Sequence, residues 1–77
     1  MSKREILLEI EGILAQLNVK DKITKNTALI GDKILDSLEF MNYITTIEDT
    51  FNVSISDEDI DKYQLGVVGN MVDYLEK

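Results

Sequence analysis

The 77-residue chain contains no cysteine, histidine, proline or tryptophan. Without cysteine there is no disulfide, thiolate metal site or thiol nucleophile, and the redox compartment is left open. Without histidine the usual base for activating a serine is missing. A chain this short also leaves little room for a pocket of enzymatic size. These absences argue against an enzyme. Long apolar runs are missing too. Lys3 and Arg4 stand near the start, but Glu5, Glu9 and Glu11 interrupt the apolar residues beyond them. The reading is no signal peptide, no membrane insertion and a cytoplasmic protein.

Residues 1–77 are read as a single domain, near the lower end of what one core can stabilise. Hydrophobic residues make up 44% of the chain, enough for a packed core and too much for a disordered acidic tail. Fifteen acids against eight bases give a net charge of −7. That disfavours nucleic acid, whose phosphates demand Lys and Arg, and favours basic partner surfaces. From Ile34 to Ile60 there is no Lys or Arg, while Asp36, Glu39, Glu48, Asp49, Asp57, Glu58 and Asp59 all fall there. The stretch reads either as an ordinary solvated surface or as a docking face for cationic partners.

The pattern predicts four helices. The first begins near Ser2, where Ser2 and Glu5 have capping-box spacing, and ends around Asn18. Its apolar stripe is Ile6, Ile10, Ile13, Leu14 and Leu17. A long connection comes next, from about Val19 to Leu35, pinned to the core by Leu29 and Ile30; connections this long are often functional. The second helix starts at Asp36, with Glu39 completing a second box, and ends at Asn52. Its buried stripe is expected to be Leu38, Met41, Ile44, Ile47 and Phe51. Val53-Ser54-Ile55 is an extended connector. Ser56 caps a short third helix whose first turn is acidic, and Gly66 separates it from a last helix over Val67 to Glu76. The predicted fold is all-α, a small four-helix bundle with a long loop between helices 1 and 2 and a short third helix.

The acidic run from Asp57 to Asp61 alternates like a calcium loop. However, Lys62 stands where the sharp turn needs glycine, and Val68 where a bidentate Glu is required, so no metal site is assigned. Asp36-Ser37-Leu38 remains. It closes the long loop and opens the second helix, which should leave Ser37 exposed in the first turn. A phosphate ester there would sit near free backbone amides at the positive end of the helix dipole. No base in this chain is needed if a separate enzyme performs the modification.

Leu35-Asp36-Ser37-Leu38-Glu39 resembles the phosphopantetheine attachment motif of acyl carrier proteins. Ile47-Glu48-Asp49-Thr50-Phe51 is similar to the end of that family's second helix. Val53-x-Ile55-x-Asp57-Glu58-Asp59 is similar to its connector and third-helix start, and Val68 to Leu75 to its last helix. The resemblance spans essentially the whole chain. It implies a non-catalytic monomeric carrier whose Ser37 receives 4'-phosphopantetheine from coenzyme A. The arm then holds an acyl group as a thioester. The resemblance also implies that Asp36 helps the phosphopantetheinyl transferase engage, and that Leu38, Glu39, Met41, Glu48 and Asp49 contact partners. Those partners are the transferase and the loading ligases and synthases of fatty-acid or specialised acyl-chain biosynthesis, through basic docking patches.

Three positions depart from the fatty-acid carrier pattern. Leu35 replaces a small residue, Asn42 replaces a usual Glu, and the stretch around Gln64-Leu65-Gly66 is about two residues longer. An aminoacyl or D-alanyl carrier, or an unmodified acidic interaction module, shares the same pattern.

Overall fold

The computed structural model describes residues 2–76. Its regular structure is four helices: α1 (Lys3–Gln16), α2 (Ser37–Phe51), α3 (Asp57–Lys62) and α4 (Val68–Glu76). The all-α architecture expected from the sequence is therefore present. The described residues include no strand, only an isolated antiparallel bridge between Ala28 and Val67.

The helix starts are set by their caps. The Ser2 hydroxyl accepts the Glu5 amide at 3.2 Å, and the Glu5 carboxylate accepts the Ser2 amide at 3.1 Å. These two bonds satisfy amides that have no partner inside a helix. The backbone N–H of Ser2, followed by its hydroxyl, holds the Glu5 carboxyl below its ordinary pKa. Ser56 caps α3 by accepting the Asp59 amide at 3.1 Å.

Three helix ends and one turn of the long loop, at Lys33, share one device. Asn18, Lys33, Asn52 and Gln64 adopt left-handed φ of 68°, 59°, 54° and 50°. In each case the next amide reaches back five residues. Val19 donates to Leu14, Ile34 to Leu29, Val53 to Glu48 and Leu65 to Ile60, at 3.0 to 3.1 Å. At the three helix ends this closure satisfies last-turn carbonyls. It also corrects the expected end of α1. The helix stops at Gln16 because Asn18 has already turned left-handed.

Helix α1 packs against α4 and α2. Ile6, Ile10, Ile13 and Leu14 face inward from α1, and Val68, Met71 and Val72 from α4. The long loop adds Leu29 and Leu35, the connector adds Ile55, and the α3–α4 turn adds Leu65. Each such side chain is worth about 1.5–3 kcal/mol on burial. Ile30 does not pin the loop as expected, since it is 44% exposed; Leu29 does, together with Leu35.

The α2 stripe needs the largest correction. Leu38 and Met41 are 73% and 47% exposed, and Phe51 is only partly buried. The inward face is Phe40, Tyr43, Ile44 and Ile47.

Backbone bonds join the long loop to the start of α4. Leu29 donates to the Gly66 carbonyl at 2.8 Å, Val68 to Thr27 at 2.9 Å, and Gly69 to Lys25 at 2.7 Å. The first amides of α4 are thus capped by the loop. A Cβ on Gly69 would lie 2.6 Å from the Lys25 oxygen, so this close approach requires glycine. Thr27 is buried, and its hydroxyl accepts the Thr24 amide at 2.9 Å. Helix α3 contributes no fully buried residue. It is tied to α4 by the Tyr74 hydroxyl, which donates to Asp59 at 2.6 Å.

Candidate functional site

The candidate site is the start of α2. Leu35 is buried, and its amide donates to the Leu29 carbonyl at 2.9 Å. The loop is therefore anchored one residue before the cap. Asp36 is extended, with φ −84° and ψ 179°, and its carboxylate accepts the Glu39 amide at 2.8 Å. Glu39 in return accepts the Asp36 amide at 3.1 Å. Asp36 is accordingly the N-cap, and the helix proper begins at Ser37.

Ser37 is exposed. The amides of Ser37 and Leu38 have no hydrogen-bond partner among the described residues. Two free donors and the positive helix end thus accompany an accessible hydroxyl, a setting that suits a phosphate ester. Asp36 cannot serve freely as a general base for Ser37, because its carboxylate is engaged in the cap.

The remaining expected residues divide along the helix. Leu38, Met41, Asn42, Thr45 and Asp49 are all exposed, spaced as one face of α2. Leu38 and Met41 put a bare apolar patch beside Ser37. Glu39 is partly buried and bound into the cap. Glu48 lies about 16 Å along the axis from Ser37. One of its carboxylate oxygens accepts the Ile55 amide at 2.8 Å, which fastens the connector to α2. Glu48 therefore has a structural bond that its sequence position gave no hint of. The structure brings Ser37, Leu38 and Met41 together and leaves Glu48 and Asp49 at the far end.

Two aromatic residues escaped the sequence reading. Phe40 and Tyr43 are 8% and 0% exposed, with ring centroids 5.7 Å apart and planes at 35°. The Tyr43 hydroxyl is buried with no hydrogen-bond partner among the described residues. Burial pushes its pKa well above the ordinary tyrosine value. Their i, i+3 spacing was the available signal. Phe40 also lines an open groove of about 290 Å³ with Ile30, Ile60, Gly66 and Val67. Among the described residues no three acids converge to hold a metal ion.

The family profile described as "Phosphopantetheine attachment site" matches residues 4–75. The chain belongs to the acyl carrier protein family. It is 37% identical over 78 residues to an acyl carrier protein of an Exiguobacterium species, covering 99% of this chain and 96% of the relative. The acyl carrier protein of Lactobacillus acidophilus is 35% identical, with 99% and 95% covered. That of Thermotoga maritima is 32% identical, with 99% and 94% covered. No solved structure gives a significant match. Family membership brings 4'-phosphopantetheine as the covalent cofactor, and it makes the chain a carrier. The donor set fits that group: an accessible hydroxyl, unpaired amides beside it and no competing thiol. No helix of the described residues is long and apolar enough to cross a membrane.

Proposed function

We propose that this carrier bears its arm on Ser37 and presents the cargo along the exposed face of α2. The observation that carries the reading is an exposed serine in the first turn of a capped helix, with two unpartnered amides beside it. The Ser37 oxygen attacks the coenzyme A phosphorus that bears pantetheine, the pyrophosphate bond breaks and adenosine 3',5'-bisphosphate leaves, and the hydroxyl proton passes to a base on the transferase, since this chain holds no histidine or cysteine. The amides of Ser37 and Leu38 then face the ester's negative charge. When attached, the arm supplies the thiol that carries the acyl group as a thioester.

Asp36 has two roles in this reading. It holds the helix start in place, and it faces the transferase from the residue before the acceptor. Leu38 and Met41 provide the apolar contact. Glu39, Glu48 and Asp49 provide charge for a basic partner surface, with Glu48 acting through whatever its bond to Ile55 leaves free. Partners are the transferase and the loading and chain-building enzymes of acyl biosynthesis. The single domain works as a cytoplasmic monomer.

The pathway reading leans away from housekeeping fatty-acid synthesis. Leu35 is committed to the core, and Asn42 stands uncharged on the docking face. An aminoacyl or D-alanyl cargo fits the same arm. Incubation with coenzyme A and a broad-specificity transferase should add a single phosphopantetheine mass, and none in Ser37→Ala. Modification that survives Ser37→Ala would assign the arm elsewhere.

A further inference from the structure

The acids that give the chain its net charge are concentrated between Asp36 and Asp61. Outside that stretch all eight bases stand against seven acids. Three of those bases, Lys3, Arg4 and Lys25, line a cleft of about 470 Å³ between the start of α1, the long loop and α4. Small-molecule sites run from about 300 to 1,000 Å³. Leu7, Val67 and Val72 give the cleft apolar surface. Asp73 is the acid beside them, and Lys3 already pairs with it at 3.2 Å. Arg4 and Lys25 have no ion pair among the described residues, so their charge is left over. Both stand on fixed backbone. Arg4 lies in the capped first turn of α1, and the Lys25 carbonyl accepts the Gly69 amide at 2.7 Å. No residue of α2 lines the cleft.

We propose that this cleft binds a small organic anion with a compact apolar body, its phosphate or carboxylate held by Arg4 and Lys25. The Arg4 guanidinium can bond two oxygens of such a group, and the Lys25 ammonium adds a point charge. The body covers Leu7, Val67 and Val72. A bare inorganic anion leaves that surface wet and meets the two bases in water, where charge pairs alone contribute little. A neutral apolar molecule leaves both bases without a partner. Head and body are therefore both required. The occupant is separate from the arm and from any partner that reads α2, because the cleft shares no residue with that helix.

The test is titration of the isotope-labelled protein with phenyl phosphate at low salt, followed by amide NMR shifts. Inorganic phosphate supplies the head alone and phenol the body alone. Saturable shifts are expected at Leu7, Asn26, Gly69 and Asn70, with each control binding about tenfold more weakly or worse. Arg4→Gln and Lys25→Gln should each weaken phenyl phosphate by about tenfold. Both replace exposed side chains, so the fold should survive, and an unchanged melting temperature checks that it does. Lys33→Gln removes a base outside the cleft and should leave the affinity as it was. Shifts that never saturate, or that centre on other bases, overturn the proposal. Inorganic phosphate binding as tightly as phenyl phosphate would leave the apolar surface no role and overturn it too. So would affinity that survives both Arg4→Gln and Lys25→Gln.

Discussion

Tyr43 sits at the centre of the core with its hydroxyl unpaired. A buried unsatisfied polar group costs about 1–3 kcal/mol. Tyr43→Phe keeps the ring and removes that group. It is expected to leave stability unchanged or raise it, as read by urea denaturation; a clear loss would reveal a hydrogen bond that the geometry does not contain. Tyr74 is the opposite case. Its hydrogen bond to Asp59, helped by partial burial, pushes its pKa up to about 12. The folded protein thus favours the neutral phenol more than the unfolded chain does. That contribution is fully present below the ordinary tyrosine pKa of about 10 and is lost as pH rises through the folded value. The melting temperature should fall between pH 10 and 12, less steeply in Tyr74→Phe. An identical fall in that variant would remove Tyr74 from the account. Neither tyrosine was visible as special in the sequence. Aromatic residues at i, i+3 spacing mark a buried face, but nothing local says which hydroxyl finds a partner.

Helix α2 carries apolar residues on two faces, and this is where periodicity misled. Leu38 and Met41 have helical spacing, but so do Phe40, Tyr43, Ile44 and Ile47. A repeat of 3.6 residues cannot say which stripe meets the core. The cap settles it, because the anchored Leu35 and Asp36 fix the rotation at which α2 begins. The caps themselves were legible, since a capping box is a contact between residues three apart. The junction between the long loop and α4 was not. It is made of backbone bonds, whose only trace in the sequence is Gly69. Two glycines test this. Gly12 is exposed within α1, and a Cβ there would meet nothing within 4 Å. Gly12→Ala should stabilise by about 0.5–1 kcal/mol. Gly69→Ala has the same propensity gain but drives a Cβ into the Lys25 oxygen, and should lower the melting temperature instead. Equal shifts in both would mean that the junction is loose.

At the scale of the molecule the radius of gyration is 11.1 Å, against about 11.5 Å expected for this length. Into that volume the chain gathers a net charge of −7. Ion pairing relieves little of it. Lys3 bridges Asp73 at 3.2 Å and Glu76 at 3.9 Å, across α1 and α4, all in solvent. The eight acids from Asp36 to Asp61 have no base among them. Salt shortens the Debye length to about 10 Å at 0.1 M, which should relieve their repulsion and raise the melting temperature. The same salt should weaken docking to a basic transferase. A melting temperature that stays flat while affinity falls would keep the docking face and discard the strain. Fold class and the family's attachment motif were both legible in the sequence, because both rest on local patterns. Cargo was not, since no local pattern in the chain encodes what the arm carries.

The central claim is that Ser37 carries the arm. Its most direct test is peptide-level mass spectrometry of the protein isolated from its own cells, with thioesters preserved. Phosphopantetheine is expected on the peptide containing Ser37, bearing an acyl group, and on no other residue. An unmodified Ser37 in a protein that a transferase also fails to load would contradict the claim.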